Sequence, residues 1–163
     1  MSDSMINLLF QGTLETIVMT LVSGFFGFLL GLPMGIFLFL TRKGQLLENK
    51  VSHQIVSVIV NIFRSIPFII LIVWMIPFTR TIVGTSIGVV AALVPLSVGS
   101  APFIARLVEN SLLEIPSGLI EAARSMGAKP LQIIRKVLLP EALPSLINNI
   151  SITLITLVGY SAM

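Results

Sequence analysis

The chain is 163 residues long, which suits one domain. Apolar residues make up 55% of it and charged residues only 10%, against roughly 25% charged in soluble domains, which excludes an ordinary cytosolic enzyme, a disordered tail and a nucleic-acid binder. There is no cysteine and one histidine, His53, so disulfides, thiolate chemistry and a histidine metal cluster within one chain are excluded too.

The opening stretch, MSDSMINLLFQGTLET, has neither a basic leader nor a cleavage site, so it does not read as a removable signal peptide. Thr16 to Thr41 carries no charge and exceeds the roughly 20 residues a helix needs to cross about 30 Å of hydrocarbon. Within it Ser23, Gly27, Gly31 and Gly35 recur every fourth residue. Such a ridge of small side chains lets two helices approach closely in a membrane, either inside one bundle or between copies. A connection with Arg42, Lys43 and Lys50 follows. Gln54 to Phe63 and Ser65 to Thr79 are both apolar and are divided by Arg64. They read as one spanning helix over about 55–79, with Arg64 near its cytoplasmic end, where the stem snorkels to water. The alternative is a surface helix up to Arg64 and a span from Ser65 onward. Arg80 is the only charge before the next uncharged run, Thr81 to Ala105, which has a weaker small-residue series in Ser97, Ala101 and Ala105.

From 106 to 141 the chain changes character, and a long connection of this kind is usually functional. Pro116 interrupts the pattern, and Ser117 reads as an N-cap. Glu121 lies near the helix entry, where the macrodipole favours an anion. Leu119, Ala122, Ala123 and Met126 fall at i, i+3, i+4 and i+7, one helical face. Gly127 reads as the C-cap, followed by Ala128 and then Pro130, which opens a second short helix. Pro140 and Pro144 close the segment. A short helix with a small-residue face suits a groove on a soluble partner better than a bilayer surface.

The last run, Ala142 to Met163, carries Ser145, Asn149, Thr153, Thr156, Tyr160 and Met163 on one face. A polar stripe in a span faces protein or a water-filled path. Pathway lining and hydrogen bonding between helices both fit. Arg42, Lys43 and Lys50, together with Arg106, Arg124, Lys129, Arg135 and Lys136, lie in connections on one side. The positive-inside rule places that side in the cytoplasm and the N-terminus outside. No carboxylate falls inside an uncharged run. Glu15, Glu109 and Glu141 read as segment ends, which argues against an intramembrane enzyme.

Glu121-Ala122-Ala123, then Gly127, then Leu139-Pro140 resembles the EAA loop of ABC-importer permeases. NIFRSIPFIIL from Asn61, WMIPFTR from Trp74, VENSLLEIPSGLIEAARSMGAKP from Val108 and RKVLLPEALP through TLITLVGYSAM resemble the D-/L-methionine import branch over essentially the whole chain. The resemblance implies an all-α polytopic helical bundle of the type I importer permease kind, a single transmembrane permease domain over 1–163. Permeases of this branch continue with a glycine-rich stretch and a fifth span, so the chain reads as C-terminally truncated after four spans. The resemblance further implies a homodimer in the bacterial inner membrane, surrounded by lipid. Two cytoplasmic ABC ATPase subunits would hold ATP and Mg, and a periplasmic or lipoprotein binding protein would deliver the solute. This chain has no GxxxxGK[ST] loop and binds no cofactor of its own in that scheme. Leu119, Glu121, Ala122, Ala123, Met126, Gly127 and Ala128 would form the ATPase-coupling helix. Asn149, Thr153, Thr156, Tyr160 and Met163 would line the path. A permease for another small solute, or a subunit that only docks the ATPase, are the alternatives.

Overall fold

The computed structural model describes residues 3–162, and Met163 lies outside them. Helix α1 (Asp3–Thr41) has 39 residues. At 1.5 Å per residue it is about 58 Å long, nearly twice the hydrocarbon thickness. It starts well before Thr16, because the segment up to Glu15 has no proline and its polar side chains fold back on the helix. Gln11 donates to Glu15 at 3.1 Å, and the Thr13 hydroxyl donates to the Leu9 carbonyl at 2.8 Å. Thr41 ends α1, and a tight loop with Gly44 at φ 83° turns the chain. Asn49 then caps α2 (Lys50–Ser65) by accepting the Ser52 N–H at 3.0 Å.

The stretch 55–79 is not one rod. Helix α2 ends at Ser65, α3 (Phe68–Val83) begins after Pro67, and the two axes differ by 106°. Pro67 is the cause: it disfavours a helical conformation in the residue before it, and Ile66 accordingly sits at ψ 123°. Helix α3 is about 24 Å long by its 16 residues, short of a full crossing. Gly84, left-handed at φ 82°, closes it by returning its N–H to Arg80 at 2.9 Å.

Helix α4 (Val89–Leu113) runs about two turns beyond Ala105, so Arg106 and Glu109 belong to the helix and not to a connection. Glu109 is 2% exposed, which also corrects its place at a segment end. After a short turn come α5 (Ser117–Ser125) and α6 (Pro130–Ile133). A five-residue π turn, Ile134–Leu138, then leads directly into α7 (Leu139–Ser161). Pro130–Ser161 is thus one continuous rod, and Pro140 and Pro144 do not break it. The wider π turn relieves the clash and the missing N–H that Pro140 brings. No strand occurs among the described residues. Among the described residues three helices are long and apolar enough to cross a membrane, four if the bent α2–α3 pair counts as one span.

The bundle is built on α4. Helix α1 lies parallel to it. Gly27 abuts Ser100 and Ile104, Gly31 abuts Ala101 and Ile104, and Gly35 abuts Ala105 and Val108. The two small-residue series therefore face each other within one chain. Ser23 is fully buried on the same ridge, its hydroxyl donating back to the Met19 carbonyl. Helix α7 runs antiparallel to both, with Leu154 and Leu157 against Gly24. Helix α3 packs Phe68 and Leu71 against Gly99 of α4. The core that includes Phe39, Ile104 and Val108 continues through Leu112, Ile115, Ile120, Ala123, Ile133 and Leu138, so α5 is rooted in the fold.

Candidate functional site

The α5 segment is held at both ends by its own backbone. Pro116, not Ser117, is the N-cap residue: its carbonyl accepts the Leu119 N–H at 3.1 Å, and no side chain caps the helix. At the other end Gly127 adopts φ 78°, Ala128 N–H donates to Ala123 O at 3.1 Å, and Gly127 N–H donates to Arg124 O at 2.9 Å. This pair of bonds is the Schellman arrangement, in which the left-handed residue follows the C-cap, here Met126.

The face expected from periodicity divides in two. Ala123 is 3% exposed and points into the core beside Ile120. Leu119, Ala122 and Met126 point outward, and Met126 is 81% exposed. Ala123 therefore cannot belong to a docking surface in this conformation, and Ile120, which periodicity left aside, is the second anchor. The signal was present in the spacing of three between two apolar residues. Glu121 is exposed and lies beyond the first turn; no acid sits in that turn, so the dipole expectation for Glu121 does not apply. Its carbonyl accepts the Ser125 hydroxyl at 3.0 Å.

The polar stripe of α7 is likewise divided. Asn149 is buried and its Nδ2 donates to Leu107 O at 3.1 Å and to Ser111 Oγ at 2.7 Å. The Ser145 and Ser111 hydroxyls are 2.8 Å apart, and Ser145 also reaches Glu114 at 3.2 Å. Thr153 is fully buried and bonds to the Asn149 carbonyl at 2.8 Å. Within this chain, then, Ser145 and Asn149 join α7 to α4 by hydrogen bonds, and Thr153 is buried with its hydroxyl turned back on its own helix. Thr156 and Tyr160 are half-buried, and the Tyr160 ring stacks on Phe68 at 4.3 Å and 11°. Met163, expected at the end of the stripe, lies outside the described residues.

A charged cluster that the sequence did not suggest ties α1, α2 and α4 together. Arg106 Nη1 donates to Glu109 at 2.5 Å, and its Nη2 donates to the Ser57 carbonyl at 3.2 Å, to Asn61 Oδ1 at 3.0 Å and to the Ser57 hydroxyl. Arg42 approaches the other Glu109 oxygen at 3.6 Å. His53 contacts the Leu38 carbonyl through Nδ1 at 3.0 Å. The available clue was an opposite-charge pair at i, i+3 following an apolar span.

Arg64 is also displaced from expectation. It lines a hollow with Gly99 and Phe103, residues in the middle of α4, and not the end of the bundle near α5.

Residues 27–163 match the family described as Binding-protein-dependent transport system inner membrane component. Over all 163 residues the chain is 70% identical to the D-methionine transport system permease protein MetI of Escherichia coli (strain K12), and it spans 75% of that protein. It is 56% identical over 157 residues to the probable D-methionine transport system permease protein MetI of Vibrio cholerae serotype O1, covering 96% of this chain and 70% of the relative. A solved structure described as inward facing conformations of the MetNI methionine ABC transporter superposes with a TM-score of 0.98 at 70% identity, covering 100% of this chain and 76% of the other. With the family pattern running from the glycine ridge of α1 through α7, this chain belongs to the inner-membrane components of binding-protein-dependent transport systems.

Proposed function

We propose that the chain is the membrane-spanning translocation subunit of an ATP-driven methionine importer. The observation that carries this is α5: a short helix anchored in the bundle core by Ile120 and Ala123, with Leu119, Ala122 and Met126 turned outward. Such a helix transmits a push on its outer face to α6 and the π turn that lead into α7, because it packs against that segment within the shared core. The 70% identity to a MetI relative over the whole of this chain supports methionine as the solute. Methionine is zwitterionic, so crossing hydrocarbon unaided is costly for its two charges.

In this proposal two copies form the path in a bacterial inner membrane, with α1 starting outside and α5 on the cytoplasmic side. Two cytoplasmic ABC ATPases bind ATP with Mg and dock on α5. A periplasmic or lipoprotein binding protein supplies the solute. ATP-driven closure of the ATPases moves the coupling helices as rigid bodies, and the spans tilt so that the path opens alternately to each side. Leu119, Glu121, Ala122, Met126, Gly127 and Ala128 present the docking face, Thr156 and Tyr160 are the part of the α7 stripe assigned to the path, and Met163 is assigned to the path from the sequence alone.

The test is co-expression with the ATPase and binding protein, followed by ATP-dependent methionine uptake into proteoliposomes. The accompanying variant is Gly127→Leu. A side chain at φ 78° costs about 1–2 kcal/mol and undoes the Schellman turn that presents α5. The expected result is normal membrane insertion with the ATPase no longer co-purifying. Unchanged co-purification refutes the docking role, and uptake of a different solute in place of methionine refutes the substrate.

A further inference from the structure

Arg64 occupies a position where a membrane protein rarely leaves a charge. The α1–α4 pair provides a depth scale, since Gly27 and Gly31, at the centre of the uncharged run Thr16 to Thr41, meet Ser100 and Ala101. Arg64 lines a hollow of about 130 Å³ with Gly99 and Phe103, at that same level. Its remaining wall includes Phe68 and Tyr160, whose stacked rings are fixed at 4.3 Å. No carboxylate lines the hollow, and Glu109, the acid of the adjoining α4, is already held by Arg106. Among the described residues the Arg64 side chain makes no hydrogen bond or ion pair, and it is exposed in the single chain.

An arginine at mid-depth faces a water-filled cavity or an anion, and intramembrane charges of this kind mark solute paths. We propose that Arg64, walled by Tyr160 and Phe68, is a mid-membrane subsite that receives the carboxylate of the amino acid in transit. The guanidinium is planar, permanently charged and shaped to hold a carboxylate through two parallel N–H bonds. A lipid phosphate is not the ligand, because headgroups lie at the interface and Arg64 lies at the level of the hydrocarbon centre. The inference rests on the importer function proposed above and adds to it the residue that reads the substrate's negative end.

The chain has no cysteine, so a single thiol can be placed at this position. Arg64→Cys is assembled with ATPase and binding protein whose own thiols have been blocked, and uptake of radiolabelled methionine is measured. Uptake should fall at least ten-fold, with ATPase co-purification and permease dimer content unchanged. Treatment with aminoethyl methanethiosulfonate, which restores a positive side chain, should recover most of the loss. The sulfonatoethyl reagent, which installs a negative one, should recover none. Arg64→Lys should keep at least a third of the activity. Wild-type uptake by Arg64→Cys, equal effects of the two reagents, or loss of the dimer would each overturn the subsite, the last by assigning Arg64 to an ion pair between copies. Absence of methionine uptake by the unsubstituted chain is a separate result, which overturns the importer function and the subsite with it.

Discussion

Replacing Gly31 with alanine adds one methyl group where α1 meets α4. A Cβ there would stand 2.7 Å from the Ala101 carbonyl oxygen and 2.7 Å from Ile104 Cβ. Unstrained carbon contacts lie at about 3.5–4.0 Å, so the two helices would have to part by roughly 1 Å. The obstruction is backbone and Cβ, which no rotamer change relieves. Overpacking of this kind costs about 1–3 kcal/mol. Alanine returns about 1 kcal/mol through its better helix propensity, leaving a net loss of up to about 2 kcal/mol. Gly12 lies in the same helix with nothing within 4 Å, so Gly12→Ala receives the propensity gain alone and should be neutral or slightly stabilising. The assay is unfolding of the purified chain in mixed micelles by SDS titration, followed by helical circular dichroism. Truncation at Ile104 should not rescue Gly31→Ala, because the Ala101 oxygen remains. If Gly31→Ala unfolds at the same SDS fraction as Gly12→Ala, close α1–α4 contact is not what holds the bundle.

Two further outcomes concern the polar groups inside it. Asn149→Leu should lower stability by about 1–2 kcal/mol in the same titration, since two bonds to α4 are lost and the Leu107 carbonyl and Ser111 are left with fewer partners; no shift would mean that these bonds are exchanged for equivalents in the unfolded state. Glu109→Gln leaves Arg106 without its counter-charge in a buried site and weakens the link that holds α2 to α4. Because Arg42 and part of Arg106 reach solvent, the cost should be nearer 2 kcal/mol than the 3–5 of a fully buried pair. Hydrogen exchange should then accelerate at least ten-fold in the middle of α2, around Ser57 and Asn61, and little in α7, whereas uniform acceleration would show a global effect.

Local chemistry is enough to explain what could be read from residues alone. Long uncharged runs must be helices in lipid, because every backbone polar group needs a partner within its own segment. The four-residue spacing of Gly27, Gly31 and Gly35 puts them on one face whatever they pack against. Gly127 after a short apolar run signals a left-handed helix stop, since it is the residue that adopts that conformation without a Cβ penalty. What those signals lack is direction. Periodicity placed Ala123 on a face with Met126, but packing beneath α4 turned it inward and left Met126 outside. The same limit applies to Asn149, whose polarity fits a water path and a helix contact equally well until Ser111 and Leu107 are known to face it. Pro67 and Pro140 had opposite effects for a similar reason. At Pro67 the chain was free to bend by 106°, whereas before Pro140 a π turn absorbed the lost bond while the rod stayed packed against the bundle. Arg64 and Glu109 were assigned to the ends of segments because charge is expected near water. Helix register, which depends on contacts between residues far apart in sequence, instead carried one to mid-depth and buried the other beside Arg106.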